Sequence, residues 1–257
     1  MKFQTLLIIV FIIAASCNRS GKEITEVYQA QDTLSYQYKK IYRFAVKNND
    51  TTYISISYPE ISEKSVFADS VKNNIEKLIT SNDKRILSLE AYADSFIKSY
   101  TDFLADFDDY TQFWYQEIDV QIKTNTTNHL SIETSSDGFT GGAHGNSIVI
   151  YSNFDMKTAK PKLVTFEDVF EHNSKAQLNK IAEPIFRNEQ QIPDLISLDE
   201  ASYFVFDESK IEKFEITNNF LLEREGIRFF FNDYEIAPHV VLVHHNYLFL
   251  TINYMES

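Results

Sequence analysis

The sequence predicts an α+β fold, with mostly antiparallel sheets, packed helices and two subdomains. Three observations predict it. Apolar positions switch along the chain from a period of two to a helical period and back again. Aromatic residues are abundant, with 21 Phe and 15 Tyr, and such side chains pack well on a pleated surface. Only 6 Gly and 5 Pro occur in 257 residues, which excludes fibrous and low-complexity architectures, and a hydrophobic share of 44% is enough for a substantial core.

The chain opens with Met1-Lys2, followed by an unbroken apolar run from Leu6 to Ala15. Ten residues are too few for a bilayer span, which takes about 20. Ala14-Ala15-Ser16 then supplies small residues directly before Cys17. This order of positive, apolar and small residues predicts a signal peptide over 1–16. The AASC sequence also resembles the bacterial lipobox. That resemblance implies a diacylglyceryl group on Cys17, acylation of the new amino terminus, and a membrane anchor outside the cytoplasm. Several acyl chains hold stably where one does not. Cys17 is the only cysteine, so a lipidated chain has no thiol for zinc, a disulfide or nucleophilic attack. Residues 17–35 are polar, free of proline, and read as a tether.

Strands are expected over Lys39–Val46 and Thr52–Tyr58, the latter stopped by Pro59. Phe67, Val71, Ile75 and Leu78 then recur at helical spacing, and Leu89, Tyr92, Phe96, Tyr100, Phe103 and Phe107 mark a second helix. An aromatic stripe of that width is core, because exposed it would aggregate. Strands resume from Phe113 to Lys123, at Leu130–Ile132 and at Ile148–Tyr151, around a long loop from Ser135 to Asn146. A third helix spans 174–190, with a Ser174/Gln177 capping box and a kink at Pro184. Lys213–Leu222, Ile227–Asn232 and Leu248–Tyr254 complete the strands. The division between subdomains is placed near residue 112.

The loop from Ser135 to Asn146 holds four of the six glycines, at 138, 141, 142 and 145. Glycines allow a positive φ and leave backbone N–H groups free for an anion or a glycan oxygen, or simply make a tight connection. His144 within it is a candidate ligand or base, or a structural donor. Asp155 caps the turn that follows, through Lys157-Thr158. Tyr234, Glu235 and Pro238 offer a recognition surface, although Glu235 could equally satisfy backbone donors in a loop. His244 and His245 are adjacent, so on a strand they face opposite ways and cannot share an ion. Asp106, Asp108 and Asp109 lack the Gly and terminal Glu of a calcium loop. No combination assembles a nucleophile, base and oxyanion site, and neither a metal nor a cofactor is expected. A net charge of -13 without a basic block excludes a nucleic-acid footprint and favours basic partners at long range.

Three stretches are more specific: Gly141-Gly142-Ala143-His144-Gly145-Asn146, then Asn153-Phe154-Asp155-Met156-Lys157-Thr158, then Tyr234-Glu235-Ile236-Ala237-Pro238. In this order they resemble the extracellular domain of RsiV-type anti-sigma factors, over about 120–255. The upstream YISISYPEI stretch and the helix with Asn73-Asn74-Ile75 resemble the domain that precedes the catalytic region of PdaC-type peptidoglycan deacetylases. The resemblance implies a PdaC-like domain at 36–112 and an RsiV-like domain at 113–257. It departs at Ala159, where the family has Gly, in the HVVLVHHNY run, and at Ile252-Asn253-Tyr254. RsiV-type domains bind lysozyme, and PdaC-type enzymes act on cell-wall glycan through a separate domain. No sigma-sequestering segment is expected before the signal run and no catalytic domain after Tyr254. The reading is therefore a cell-envelope binding module for a lysozyme-like protein or peptidoglycan fragments, with Gly141, Gly142, His144, Asn146, Tyr234 and Glu235 as ligand-binding residues. The alternative is a hydrolase of cell-wall glycan using His144 with Glu235 or Asp155, which requires contact within about 3 Å.

Overall fold

A computed structural model describes residues 34–47, 49–62, 66–80, 88–157, 162–171, 174–204, 213–237 and 246–251. The expectations for the signal run, Cys17, nearly all of the tether, Ala159, Pro238, His244-His245 and Ile252–Tyr254 lie outside the described residues.

The first half is built on one six-stranded sheet of order β1-β2-β3-β4-β5-β6. Strands β1 (Tyr36–Lys47) and β2 (Asp50–Ile61) form an antiparallel hairpin, with Asn49 turning at a φ of 71°. Helices α1 (Val66–Ile79) and α2 (Leu89–Asp106) follow. They carry the chain back so that β3 (Tyr115–Asn125) runs parallel to β2. A parallel pair needs such a crossover, because a tight turn can join only antiparallel neighbours. Strands β4 (His129–Phe139), β5 (Asn146–Asp155) and the short β6 (Lys162–Leu163) are then added antiparallel.

Pro59 does not stop β2, which continues to Ile61. Tyr53 N bonds Trp114 O on the β3 side, so the odd-numbered amides of β2 face β3. Pairing with β3 ends at Ser57, so the N–H that Pro59 lacks has no partner to miss.

The sheet has two unlike faces. Ile54, Ile56, Ile118, Val120, Leu130 and Ile132 point to the helices and are buried with Val71 and Ile75 of α1. The aromatic stripe of α2 is core in part: Phe96, Tyr100 and Phe103 surround the single tryptophan, Trp114, at ring distances of 6.2, 5.4 and 5.4 Å. Phe107 closes the stripe at the surface, 52% exposed.

The second half packs α3 (Phe166–Val169) and α4 (Lys175–Glu189) against a three-stranded sheet of β7 (Phe220–Leu222), β8 (Gly226–Phe230) and β9 (Tyr247–Thr251). The expected strand from Lys213 is correct only at its end. Phe214 and Ile216 are buried in alternation with exposed Lys213 and Glu215, but Ile216 N is satisfied by Asn179 Oδ1 of α4 rather than by a ladder. The capping box also lies elsewhere. Ser174 Oγ donates to Glu171 O, while Asp168 accepts from the Thr165 N–H ahead of α3. Helix α4 runs through Pro184 without interruption.

The expected division near residue 112 is a correction. It would cut the parallel β2–β3 pairing and split one sheet. The two hydrophobic clusters instead divide after Met156 and before Val164. Strand periodicity marks elements but not which strands share a sheet, so a helical interval reads as the end of a unit.

Candidate functional site

The site is placed by the way the second half grips strand β5. Beyond β6 the outer edge of β5 has no partner strand among the described residues, and an open edge of backbone N–H and C=O groups invites wrong pairing. Two asparagines close it, and a third ties β5 to β7. Asn232 Oδ1 accepts from Val149 N at 2.7 Å, and its Nδ2 donates to Val149 O at 3.1 Å. Asn219 Oδ1 accepts from Tyr151 N at 2.8 Å, and its Nδ2 donates to Val149 O at 2.7 Å. From β5 itself, buried Asn153 donates to Phe220 O at 2.7 Å and accepts from Leu222 N at 2.9 Å. A carboxamide carries one donor–acceptor face like that of a peptide unit, so each side chain replaces a missing strand residue.

This grip brings the two distant motifs together. The expected long loop is only residues 140–145, because β4 extends to Phe139 and β5 begins at Asn146. Gly141 and Gly142 have φ values of 95° and 111°, which L side chains rarely adopt. A Cβ on Gly141 would also lie 2.6 Å from Tyr110 Oη, the hydroxyl that accepts from Trp114 Nε1. The loop thus rests on the aromatic cluster of α2. It presents His144 outward, where Nδ1 lies 2.7 Å from Gly145 O and Nε2 lies 3.1 Å from Tyr234 Oη. With Nδ1–H donating to the carbonyl, Nε2 is the acceptor for the tyrosine hydroxyl. Tyr234 holds a φ of 66° in the turn anchored by Asn232. Residues 90 apart in sequence therefore touch.

Glu235 is bound within its own turn. Its carboxylate accepts from Asn232 N at 2.8 Å, closing that turn. Asp155 pairs with His129 at the far end of the ten-residue β5 and accepts from Lys157 N at 2.9 Å, the expected turn cap. Of the two pairings the hydrolase alternative offered, that of His144 with Asp155 is thus excluded by the length of a strand. Among the described residues no group of three or more His, Cys, Asp or Glu could hold a metal ion.

A groove of about 640 Å³ opens beside the glycine loop, between the helices and the inner faces of β3, β4 and β5. Gly141, His144 and Asn146 stand at its mouth, and Tyr92, Phe96, Ile118, Ile148 and Ile150 form apolar walls. Its polar lining is sparse and ordered. Tyr92 Oη lies 3.1 Å from Gln116 Oε1, and Gln116 Nε2 donates to Ser136 Oγ at 3.3 Å. Thr134 Oγ1, also in the lining, is buried without a hydrogen-bond partner. A second hollow of about 520 Å³ shares Asn146, Ile148 and Ile150 and continues to Asn219, Asn232 and Glu235. Of the six predicted residues, the groove gathers Gly141, His144 and Asn146, and the continuing hollow adds Glu235, while Tyr234 joins through His144. A side chain at Gly142 would point into open space, away from the groove lining. Periodicity missed Gln116, Thr134 and Ser136, which read as the polar side of amphipathic strands, and it missed Asn219 and Asn232. The repeated asparagines at 218, 219 and 232 were the available signal.

Residues 45–147 match the family described as Deacetylase PdaC, and residues 167–241 match the family described as Protein of unknown function (DUF3298). No curated protein matches the chain. Among solved structures, a DUF3298 family member from Bacteroides fragilis NCTC 9343 is similar at 19% identity with a TM-score of 0.66, covering 88% of this chain and 92% of that one. A DUF3298 family protein from Pseudomonas aeruginosa PAO1 is similar at 16% identity with a TM-score of 0.65, covering 88% and 94%. The first match runs across residue 112 and ends at the second residue of β5, in agreement with a sheet that continues past residue 112. The chain thus carries a PdaC-like domain followed by a DUF3298 domain, a combination consistent with a cell-envelope protein, on the fold of solved DUF3298 family proteins.

Proposed function

We propose that this protein is a lipid-anchored binding module of the cell envelope that takes a peptidoglycan fragment in the groove beside the His144 loop. The observation that carries the reading is the groove itself. It lies within the size range of small-ligand sites, about 300–1,000 Å³, and combines apolar walls with a few convergent polar groups. Tyr92 and Phe96 suit the apolar faces of sugar rings, and Gln116, Ser136, Asn146 and the unpartnered Thr134 hydroxyl suit their hydroxyls. The PdaC-like match supports a glycan context, and Cys17 supplies the anchor. The finer likeness to RsiV-type domains makes a lysozyme-like protein the competing ligand, favoured by the net charge of -13.

Calorimetry on the chain in neutral detergent decides between them. Muropeptides should give heat that Thr134→Val and Asn146→Ala reduce. Heat with lysozyme alone, untouched by those changes, would move the ligand site elsewhere. For the anchor, Cys17→Ser should release the protein from membranes, and its retention after a high-salt wash would overturn lipidation.

A further inference from the structure

The sheet face turned away from the helices carries a feature that the groove does not use. On β3 the even-numbered residues Ile118 and Val120 are buried under the helices, so Tyr115 and Glu117 point to the opposite face. The register aligns two adjacent rows there. Phe44 lies opposite Tyr53, Tyr53 opposite Tyr115, and Tyr115 opposite Phe139, which makes an aromatic row across four strands. Two residues along each strand, Tyr42, Ser55, Glu117 and Asp137 form the neighbouring row. The rings are nearly parallel where they meet: Tyr53 and Tyr115 at 6.1 Å and 24°, Tyr115 and Phe139 at 6.5 Å and 27°. Phe44 is 60% exposed and Tyr42 is 46% exposed, so the rows face solvent.

Two physical facts set this strip apart from an ordinary sheet surface. Exposed apolar strips of this kind mark interaction surfaces. Glu117 and Asp137 also stand directly opposite each other, and like charges in that position destabilise a strand pair. Glu117 is already an acceptor, for Tyr53 Oη at 2.8 Å. Of the cations on this face, Lys123 is committed to Glu133 at 3.2 Å, and Lys40 lies one row further, in line with Asp119. Ring faces are themselves negative. Negative ring faces and two opposed carboxylates therefore lie side by side, and what complements both is a planar cation.

We propose that this outer face docks an arginine-bearing segment of a basic partner polypeptide, with guanidinium groups stacked on Tyr53 and Tyr115 and their N–H groups donated to Glu117 and Asp137. A guanidinium can stack on a ring and bond a carboxylate through its fork at once, whereas an ammonium offers only a point charge. The chain's net charge of -13 would draw such a partner in. The inference does not rest on the groove, which opens on the other face of the same sheet and meets this strip only at its rim, through Tyr115 and Phe139.

The test uses the full chain in neutral detergent, with fluorescein-labelled octa-arginine and octa-lysine read by anisotropy. Octa-arginine should bind more tightly. The double variant Glu117→Gln, Asp137→Asn should weaken it roughly tenfold, from two charge contacts at about 0.7 kcal/mol each. The same variant should melt no lower than the parent, because it removes a like-charge pair and keeps the sheet. Tyr115→Ala should weaken binding roughly fivefold, while Thr134→Val in the groove should leave it unchanged. Equal affinity for both peptides, or parent-like binding by the double variant, would reduce the effect to diffuse charge and sink the proposal. Binding of chitotetraose that Tyr53→Ala abolishes and Thr134→Val does not, with octa-arginine unaffected, would make the face a glycan platform instead and overturn it.

Discussion

The two halves of this protein solve the problem of a core in opposite ways. Residues 34–156 bury aliphatic side chains, chiefly Ile54, Ile56, Ile118, Val120, Leu130 and Ile132, between long strands and two helices. Residues 164–251 bury rings. Phe186 meets Tyr203, Phe204, Phe214 and Phe231 at centroid distances of 5.4, 5.6, 5.3 and 6.0 Å. The difference follows the backbone. In the first half the ladders fix the strands at regular spacing, and β-branched side chains fill the even gaps. The second half has strands of three and five residues and positive φ at Gln191, Ser202 and Phe204, so its gaps are uneven. Large rings in tilted and edge-on contact span such gaps, each pair adding about 0.5–1.5 kcal/mol beyond the area it buries. Regular backbone therefore goes with β-branched residues in its strand layer, and irregular backbone with rings set among aliphatic side chains.

The comparison breaks most sharply at the joint. Asn153 is buried and serves both halves at once. Its replacement by alanine strands Leu222 N and Phe220 O, while Ser131, which donates to Asn153 Oδ1 at 3.0 Å, keeps Leu222 O and His129 as partners. Each unsatisfied buried group costs about 1–3 kcal/mol. We expect Asn153→Ala to lower stability by about 3 kcal/mol and to split one calorimetric transition into two, with the aromatic half melting first because its short strands hold fewer ladder bonds. A single transition at a lower temperature would show that the halves are one cooperative unit. Asn232→Ala sharpens the point, because that side chain is half-buried and water can replace it, so its loss should cost less.

The same contrast explains what was legible in the sequence. Every helix and strand of the first half follows an apolar period of two or of three to four, and those elements were found. The order of pairing was not, because nothing in the spacing of Ile54 and Ile118 says that their strands run side by side. In the second half, Phe214 and Ile216 alternate as a strand would, yet the segment hangs on Asn179 and the rings around it. Burial was readable there and backbone pairing was not. The site shows the same limit. The loop residues His144 and Asn146 and the turn residues Tyr234 and Glu235 stood out by composition, but the groove walls came from strands whose polar positions resemble any solvated face. The Asp155 partnership failed for a geometric reason, since ten extended residues separate the two ends of β5.

The smallest effect we expect lies at the other end of the joint. His129 Nε2 is 2.5 Å from Ser131 Oγ, which in turn reaches Leu222 O of the second half at 2.9 Å. Burial pushes the imidazole below its ordinary value of 6.5, partly offset by Asp155 opposite it and by the carbonyls of Leu222 and Phe154. Lys157, Lys162 and Asp168 line the same hollow of about 350 Å³. The folded state thus prefers neutral His129. Above pH 6.5 the imidazole is neutral in both states and the stability is fully present. As pH falls through 6.5 the unfolded chain takes up a proton that the folded chain resists, so stability declines until the depressed folded value is passed. Denaturant unfolding between pH 7 and 5 should show this decline in the parent and a shallower one in His129→Gln, which keeps a side-chain amide for Ser131. An unchanged pH profile in that variant would remove His129 from the joint and leave the asparagines alone to couple the two halves.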